Sequence, residues 1–454
     1  MTRTLGFKLG TIALLILLLM IPLALIGGLI GERQAARDSV LANIAQSSSH
    51  AQRITGPLLV VPYTRTLREW KTYEQTGQRH LEEREVRGRL YFLPERFELT
   101  GHVDTELRAR GIYKARLFKS DSQVSGQILV PAHYGIDQDL ADYRFESPFL
   151  AVGISDIRGI GNALKLRVNG RTLDFQPGSG DRVLEGGVHV PLASLQAAVP
   201  QRLDIGFDLK LQGTSSLTVV PVGRDSRVAL TSSWPHPSFI GDFLPGERSI
   251  DGKGFSASWQ TSFFATNLQE ALDSCIGEGE CHGFQSRAFG VSFVDPVDQY
   301  LKTDRAIKYA LLFLALTFAG FFLMEVLKRL AVHPVQYGLV GLALAFFYLL
   351  LLSLSEHLEF ALAYALSAGA CVALVGFYVS HVLRSWARGA GFTAGLAALY
   401  GMLYGLLSAE DYALLMGSLL VFGLLACVMV LTRKLDWYGV GRTPSSPASE
   451  TVRS

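Results

Sequence analysis

No charged residue occurs between Leu9 and Ile30. In helical form, at roughly 1.5 Å per residue, such a run crosses a hydrocarbon core of about 30 Å, so a chain that carries it has to fold around a bilayer. Five further apolar stretches lie near 309–327, 337–355, 358–379, 390–407 and 412–431. Between the first and second stand about 275 residues, 31–305, enough for one large or two smaller domains with real cores. The predicted fold is therefore a mixed membrane protein: a six-transmembrane-helix bundle with a large, mainly β, sandwich-like periplasmic domain inserted between helices 1 and 2. Its parts are a cytoplasmic N-terminus at 1–8, the first helix at 9–30, the β domain at 31–305, helices two to six at 306–432, and a cytoplasmic tail at 433–454. The Ser/Pro-rich end of that tail, Thr443 to Ser454, has a composition that favours disorder.

The first apolar run follows Arg3 and Lys8 but is longer than the core of a cleaved signal peptide, and it reads as a retained anchor. Pro22 inside it is tolerated in a spanning helix. Glu32 to Ile54 continues as an amphipathic helix, with Val40, Leu41 and Ile44 on one face. Basic residues flank every second boundary: Arg3 and Lys8, Lys328 and Arg329, Arg384 and Arg388, Arg433 and Lys434. The other short loops hold Glu356 and the pair Glu410–Asp411. The positive-inside rule then places both termini in the cytoplasm and the 31–305 domain outside it. A net charge of +2 gives no basic surface suited to nucleic acid.

Within the soluble stretch the hydrophobic period is two. Leu203, Ile205, Phe207, Leu209 and Leu211 alternate with polar residues and Gly206. Tyr113, Ala115 and Leu117 repeat the pattern, as do Phe255, Ala257 and Trp259, and Leu217 and Val219. Many short strands separated by Gly and Pro predict antiparallel sheets packed face to face. The segment Ser233 to Pro245, SWPHPSFIGDFLP, is unusual, with three prolines and three large aromatics. Prolines exclude a central strand there. The ordinary reading is a rigid loop whose Trp234, Phe239 and Phe243 cap the core, because aromatics bury well. The sharper reading is a contact surface, for a partner or for the protein's own membrane helices, formed by Trp234, His236, Phe239, Asp242 and Phe243. Acid–base chemistry by His236 and Asp242 is the weakest reading, since it needs a third positioning group and a pocket.

Cys275 and Cys281 flank IGEGE, and a local disulfide suits an oxidising compartment. It would stabilise by about 2–3 kcal/mol in the loop-entropy model. The adjacent His282 does not make a metal centre, which needs three or four converging ligands. Cys371 and Cys427 lie in apolar stretches and read as packing residues. Small residues recur every four positions at Ala361, Ala365 and Gly369, and at Ala397, Gly401 and Gly405, a pattern that lets helices approach closely. The spans are nearly free of internal charge. Lys308 and Glu325 stand near the ends of the second stretch and can snorkel to water; Glu356, His357 and Glu359 read as loop-solvated, with a lipid-headgroup or partner contact as the alternative. No G-x-S-x-G, H-E-x-x-H, phosphate-loop or C-x-x-C motif occurs. No catalytic residue, metal ligand or cofactor is assigned.

Several stretches together, in this order and over nearly the whole chain, resemble the CreD family of bacterial inner-membrane proteins. They are GPLLVVPY at Gly56 to Tyr63, SDIRGIGNA at Ser155 to Ala163, TSSWPHPSFIGDFLP at Thr231 to Pro245, the run from Asp295 into the second apolar stretch, His333 to His357, and LDWY at Leu435 to Tyr438. The resemblance implies a six-span protein of the Gram-negative inner membrane. It also implies links to cell-envelope integrity, to the regulon of a two-component sensor and regulator, to colicin tolerance and to β-lactam response. The family has no established catalytic residues to carry over.

Three functions compete. The first is a non-enzymatic envelope integrity or stress-response protein acting through its periplasmic domain. Its expected partners are membrane lipids, a periplasmic or inner-membrane protein, or a glycan or lipid ligand, with no nucleic acid. The second is a transporter or flippase of an envelope lipid or solute, which needs a hydrated polar path through the helices. The third is an envelope-polymer hydrolase, which needs a pocket holding a nucleophile and a base.

Overall fold

The computed structural model describes residues 2–72, 79–193, 195–279, 281–293, 299–328, 332–383, 385–408 and 413–433, with some side chains in the helices excepted. The sequence features at Glu410–Asp411, Arg329, Arg384, Lys434, Leu435–Tyr438 and Thr443–Ser454, and the side chains of Arg3, Lys328 and Cys427, lie outside the described residues. The chain forms two compact units, Ser39–Pro296, and Met1–Asp38 with Val297–Ser454. Helix α1, Thr2–Ser47, begins in the second of these and ends in the first; it is unbroken through Pro22.

The strands, in chain order, are β1 Gln52–Thr72, β2 Arg79–Phe92, β3 Arg96–Arg110, β4 Tyr113–Val130, β5 Tyr143–Phe145, β6 Phe149–Ile154, β7 Lys165–Val168, β8 Arg171–Asp174 and β9 Gln176–Pro177. They continue as β10 Gly187–Pro191, β11 Gln201–Thr214, β12 Ser216–Val220, β13 Asp225–Ser232, β14 Ser238–Gly241, β15 Glu247–Asp251, β16 Gly254–Ser262 and β17 Phe289–Ser292. Helices α2 Phe263–Thr266, α3 Leu268–Glu278 and α4 His282–Gln285 lie between β16 and β17.

Two sheets result. A nine-stranded sheet runs β14-β17-β12-β1-β6-β10-β9, with β2 and β5 also on β1, and an eight-stranded sheet runs β15-β16-β13-β3-β4-β11-β7-β8. One continuous core joins Leu58 to Val61, Leu150 and Val219 of the first sheet to Phe97, Phe118, Phe207 and Trp259 of the second. This is the sandwich that alternation predicts. In β11 the residues Leu203, Ile205, Phe207, Leu209 and Leu211 are all buried. The pairing is mixed rather than wholly antiparallel, since β1 runs parallel to β12 and β3 parallel to β13. Long intervening segments allow parallel partners that a hairpin cannot supply. In β1 the four residues Leu58 to Val61 are buried without alternation, the mark of a central strand covered on both faces. The amphipathic end of α1 stops at Ser47 rather than near Ile54, and its Val40, Leu41 and Ile44 cover Ala115 and Leu117 on the outer face of β4.

The other unit holds the start of α1 with α5 Gln299–Lys308, α6 Ala310–Lys328, α7 Pro334–Ser355, α8 Phe360–Val382, α9 Trp386–Ser408 and α10 Ala413–Thr432. The expected six-transmembrane-helix bundle is corrected here. Among the described residues four helices are long and apolar enough to cross a bilayer, α1, α7, α8 and α9, or five if the bent pair α5–α6 is one span. The second expected span is not a single straight helix. Its approach, α5, is polar, and the pair bends by 46° at Tyr309, whose N–H turns back to the carbonyl of Ala306 at 3.1 Å. The apolar part alone falls short of a core about 30 Å thick. The stretch 412–431 coincides with α10, whose side chains are described only in part and which does not enter the count.

Glu325 does not snorkel. It is 3% exposed and pairs with Lys8 of α1; its carboxylate also accepts the Val332 N–H at 3.1 Å and the Tyr337 hydroxyl at 2.9 Å. Lys308 pairs with Asp304 at 2.7 Å. Glu356 is not merely solvated either: Arg33 lies 3.5 Å from it and the Tyr300 hydroxyl donates to it at 3.2 Å. Between these two clamps α1 lies close on α7. A Cβ at Gly341 would overlap Leu19 and Phe318, and Leu15 stands 3.7 Å from the same point at Gly338. His333 caps α7 by accepting the Val335 N–H, while Gln336 accepts the His333 N–H. Removing one partner of a buried ion pair strands the other charge. Glu325→Met is therefore expected to destabilise the detergent-solubilised protein by about 2 kcal/mol, less than for a fully buried pair because the Lys8 side chain is 31% exposed. The double variant with Lys8→Met should recover most of that loss, both read as thermal unfolding midpoints.

Candidate functional site

The 231–245 segment passes from β13 of the eight-stranded sheet to the edge of the nine-stranded one. β14 lies inside it, as the edge strand beside β17, where flanking Pro235 and Pro237 are compatible with strand geometry. Phe239 meets Phe255 and Trp259 edge-on at 5.8 and 5.7 Å, and Phe243 meets Phe289 at 6.1 Å. The indole N–H of Trp259 donates to the Phe243 carbonyl at 3.2 Å. Trp234 lies under the Arg116 guanidinium at 3.6 Å, and its indole N–H donates to the His236 carbonyl at 2.8 Å. All three aromatics thus pack against the core. His236 and Asp242 are exposed, and among the described residues no hydrogen bond joins them. The outward apolar group of the segment is Leu244, 70% exposed.

Cys275 and Cys281 form a disulfide. It staples the end of α3 to the start of α4, across Gly279, whose positive φ of 77° and N–H bond to the Cys275 carbonyl close the helix. His282 stands in no metal cluster: among the described residues no group of three or more His, Cys, Asp or Glu could hold an ion.

The densest polar constellation is one to which sequence reasoning assigned no role. Asp156 and Arg158, in the SDIRGIGNA stretch, meet the end of α1. Arg158 forks onto the Asp156 carboxylate at 2.8 and 2.5 Å and donates to the Gln46 carbonyl at 2.7 Å. That carbonyl is in the last turn of α1, where a cation satisfies an orphan acceptor and complements the helix dipole. The backbone N–H of His50 donates to Asp156 at 3.1 Å, and His50 Nδ1 lies 3.0 Å from Arg158. Behind them buried Gln52 donates to the carbonyls of Asp156 at 3.0 Å and Gln212 at 2.9 Å, and Ser49 donates to Gln212 at 2.7 Å. At Gly159 a Cβ would run into Gln212 and Gln52, which explains the glycine. The only signal available in the sequence was the mixed charge of Asp156 and Arg158 beside glycines. The cleft next to this junction, lined by Arg53, Ser155, Glu185 and Gln285, holds about 20 Å³, room for one water.

In the helical unit a Cβ at Gly405 would stand 3.6 Å from Met416 of α10, but the rest of the small-residue stripes do not bring helices together. Ala361, Ala365 and Gly369 of α8 and Ala397 and Gly401 of α9 line an open apolar groove of about 360 Å³. The close approach lies elsewhere, at Gly376 against Thr393 and Gly389 against Ser380. Bulky residues decide this: Tyr364 and Tyr400 pack on Phe347, Tyr364 donates to the Tyr400 carbonyl at 2.6 Å, and buried Cys371 fills the same layer. The groove wall carries no charged group.

A family model described as Inner membrane protein CreD matches residues 4–438. The chain belongs to the CreD family. It is similar to Inner membrane protein CreD of Escherichia coli (strain K12), 39% identical over 438 residues that cover 96% of this chain and 94% of the relative. As a CreD-family chain it is a multi-pass inner-membrane protein with a periplasmic domain, implicated in envelope integrity and stress response.

Arg158 holds the Asp156 carboxyl well below the usual carboxylate range, aided by His50 and opposed by burial. A depressed carboxyl adds stability that is full above its unfolded value of about 3.9 and is lost as pH falls through the folded value. Asp156→Asn should cost about 2 kcal/mol near neutrality. The wild-type and variant unfolding midpoints should converge in strong acid, in a pH series followed by tryptophan fluorescence.

Proposed function

We propose that the protein supports envelope integrity as a non-enzymatic adaptor, anchored by its helices and meeting a periplasmic or inner-membrane protein through the outer side of the 231–245 segment. The carrying observation is Leu244. Phe243 before it is tied into the core and Pro245 after it fixes the backbone, so a large apolar side chain is held rigidly outward. Exposed apolar groups on a rigid frame suit the anchor role in protein contacts. The transport reading finds less support, because the groove between α8 and α9 is apolar. The hydrolase reading finds less support, because among the described residues the cleft beside the Asp156–Arg158 junction has room for only one water.

A photo-crosslinking residue at Leu244 in intact cells is expected to trap one protein adduct reproducibly, whereas the same residue at buried Leu230 gives none. A clean lane at Leu244, with the probe shown to be solvent-accessible, would overturn the adaptor reading.

Two observations support the orientation: Arg3 and Lys8 precede the charge-free run Leu9–Ile30, and the disulfide belongs to an oxidising compartment. The N-terminus and, by the basic flank at Arg433, the C-terminus are then cytoplasmic. A fluorescent-protein fusion at the C-terminus should be bright and an alkaline phosphatase fusion there inactive. The reverse result would place an odd number of crossings between the termini.

A further inference from the structure

The groove between α8 and α9 has a size and a charged mouth that neither the fold nor the adaptor surface uses. Ala361, Ala365 and Gly369 line it from α8, and Ala397, Gly401 and Tyr404 from α9. Its α8 lining runs from Ala361 to Val372, about 17 Å of helix. That is close to half of a hydrocarbon core about 30 Å thick, the depth of one leaflet. Its volume of about 360 Å³ is a fraction of what a helix about 10 Å across fills over that length, and suits a single methylene chain. The walls are uncharged, but both signs of charge stand at the Ala361 end. The Lys302 ammonium of α5 lies 5.6 Å from the centre of the Phe360 ring, a contact that leaves its charge unneutralised. Phe360 is 6.1 Å from Tyr364, which lines the groove and is itself 5.2 Å from Tyr404. Glu359, exposed, immediately precedes Phe360. Among the described residues neither Lys302 nor Glu359 enters an ion pair, with each other or with a third group.

We propose that the groove binds one phospholipid of the phosphatidylethanolamine class. One acyl chain lies along the small-residue walls, the phosphate meets the Lys302 ammonium, and the headgroup's own ammonium donates to the Glu359 carboxylate. Inside a bilayer an apolar groove gains nothing from leaving water, so the chain is held by shape and van der Waals contact. Selectivity among lipids then has to come from the mouth. Two unpaired charges of opposite sign complement a zwitterion. A purely anionic headgroup would be drawn to Lys302 and repelled by Glu359. A choline headgroup has no N–H to donate to the carboxylate. Every residue involved belongs to one compact unit, so the site does not depend on where the β domain sits.

The test takes the full chain in detergent with an equimolar mixture of phosphatidylethanolamine, phosphatidylglycerol and phosphatidylcholine, and counts bound lipid by native mass spectrometry. One lipid per chain is expected, with phosphatidylethanolamine about fivefold over either competitor. Lys302→Gln should lower retention of all three, and Glu359→Gln should bring phosphatidylethanolamine and phosphatidylglycerol close to parity. Ala365→Phe, which fills the groove from an exposed lining position, should abolish retention. Equal retention of the three lipids by the wild type would overturn the proposal, as would full retention by Ala365→Phe. A chain dimer that carries no lipid and is lost in Ala365→Phe would give the groove to a second copy and overturn it too. A variant without the wild-type unfolding midpoint is set aside, and the wild-type comparison of the three lipids then decides.

Discussion

A carboxylate withdrawn from water is tolerated only when its charge and its lone pairs are met. Glu325 meets this condition through a lysine, a backbone N–H and a tyrosine hydroxyl, and these three partners come from α1, the turn before α7, and α7. One buried acid therefore fixes three segments at one end of the helical unit. Glu356, with Arg33 and Tyr300, does the same at the other end. From Lys8 to Arg33 is about 37 Å of helix, close to the length of α7 at about 33 Å. The two clamps set α1 and α7 parallel and in register, with glycines at 338 and 341 making room for leucines of α1.

The far end of α1 is governed by a different balance. Its last turn leaves carbonyls without intrahelical partners, and Arg158 supplies one while Asp156 neutralises the arginine. Apolar contact between Ile44 and β4 adds burial that hydrogen bonds alone would not. The helix thus ends on a sheet rather than in a loose linker. Its attachment consists of named, titratable contacts in a domain whose other polar features, among the described residues, are largely surface ion pairs of small individual weight.

Much of the β domain was legible because strand alternation is a local signal. β11 and β16 follow from every second residue being apolar, and the proline-rich segment had to be an edge or a loop because proline cannot donate to a ladder. The aromatics of that segment could not be assigned to core or surface from sequence, since both fates use the same residues. Trp259 and Phe255, distant in the chain, decide it. The small-residue stripes misled for a related reason. Spacing shows that a face is smooth, while its partner is chosen by where bulky groups such as Tyr364 and Tyr400 find space. Hydropathy likewise reported an apolar stretch at 309–327 but not the bend at Tyr309, because composition carries no backbone direction.

Taken alone, the sequence determined that this chain enters a membrane, that a β domain follows its first helix, and that no compact catalytic motif is present. Each of these depends on composition or on a period of two or 3.6, quantities held within a few residues. The tertiary structure decided how many helices qualify as spans, that Glu325 and Glu356 are clamps rather than solvated ends, and that Asp156 and Arg158 seat the end of α1. Those outcomes depend on groups far apart in the chain meeting at hydrogen-bonding distance, which no local pattern encodes.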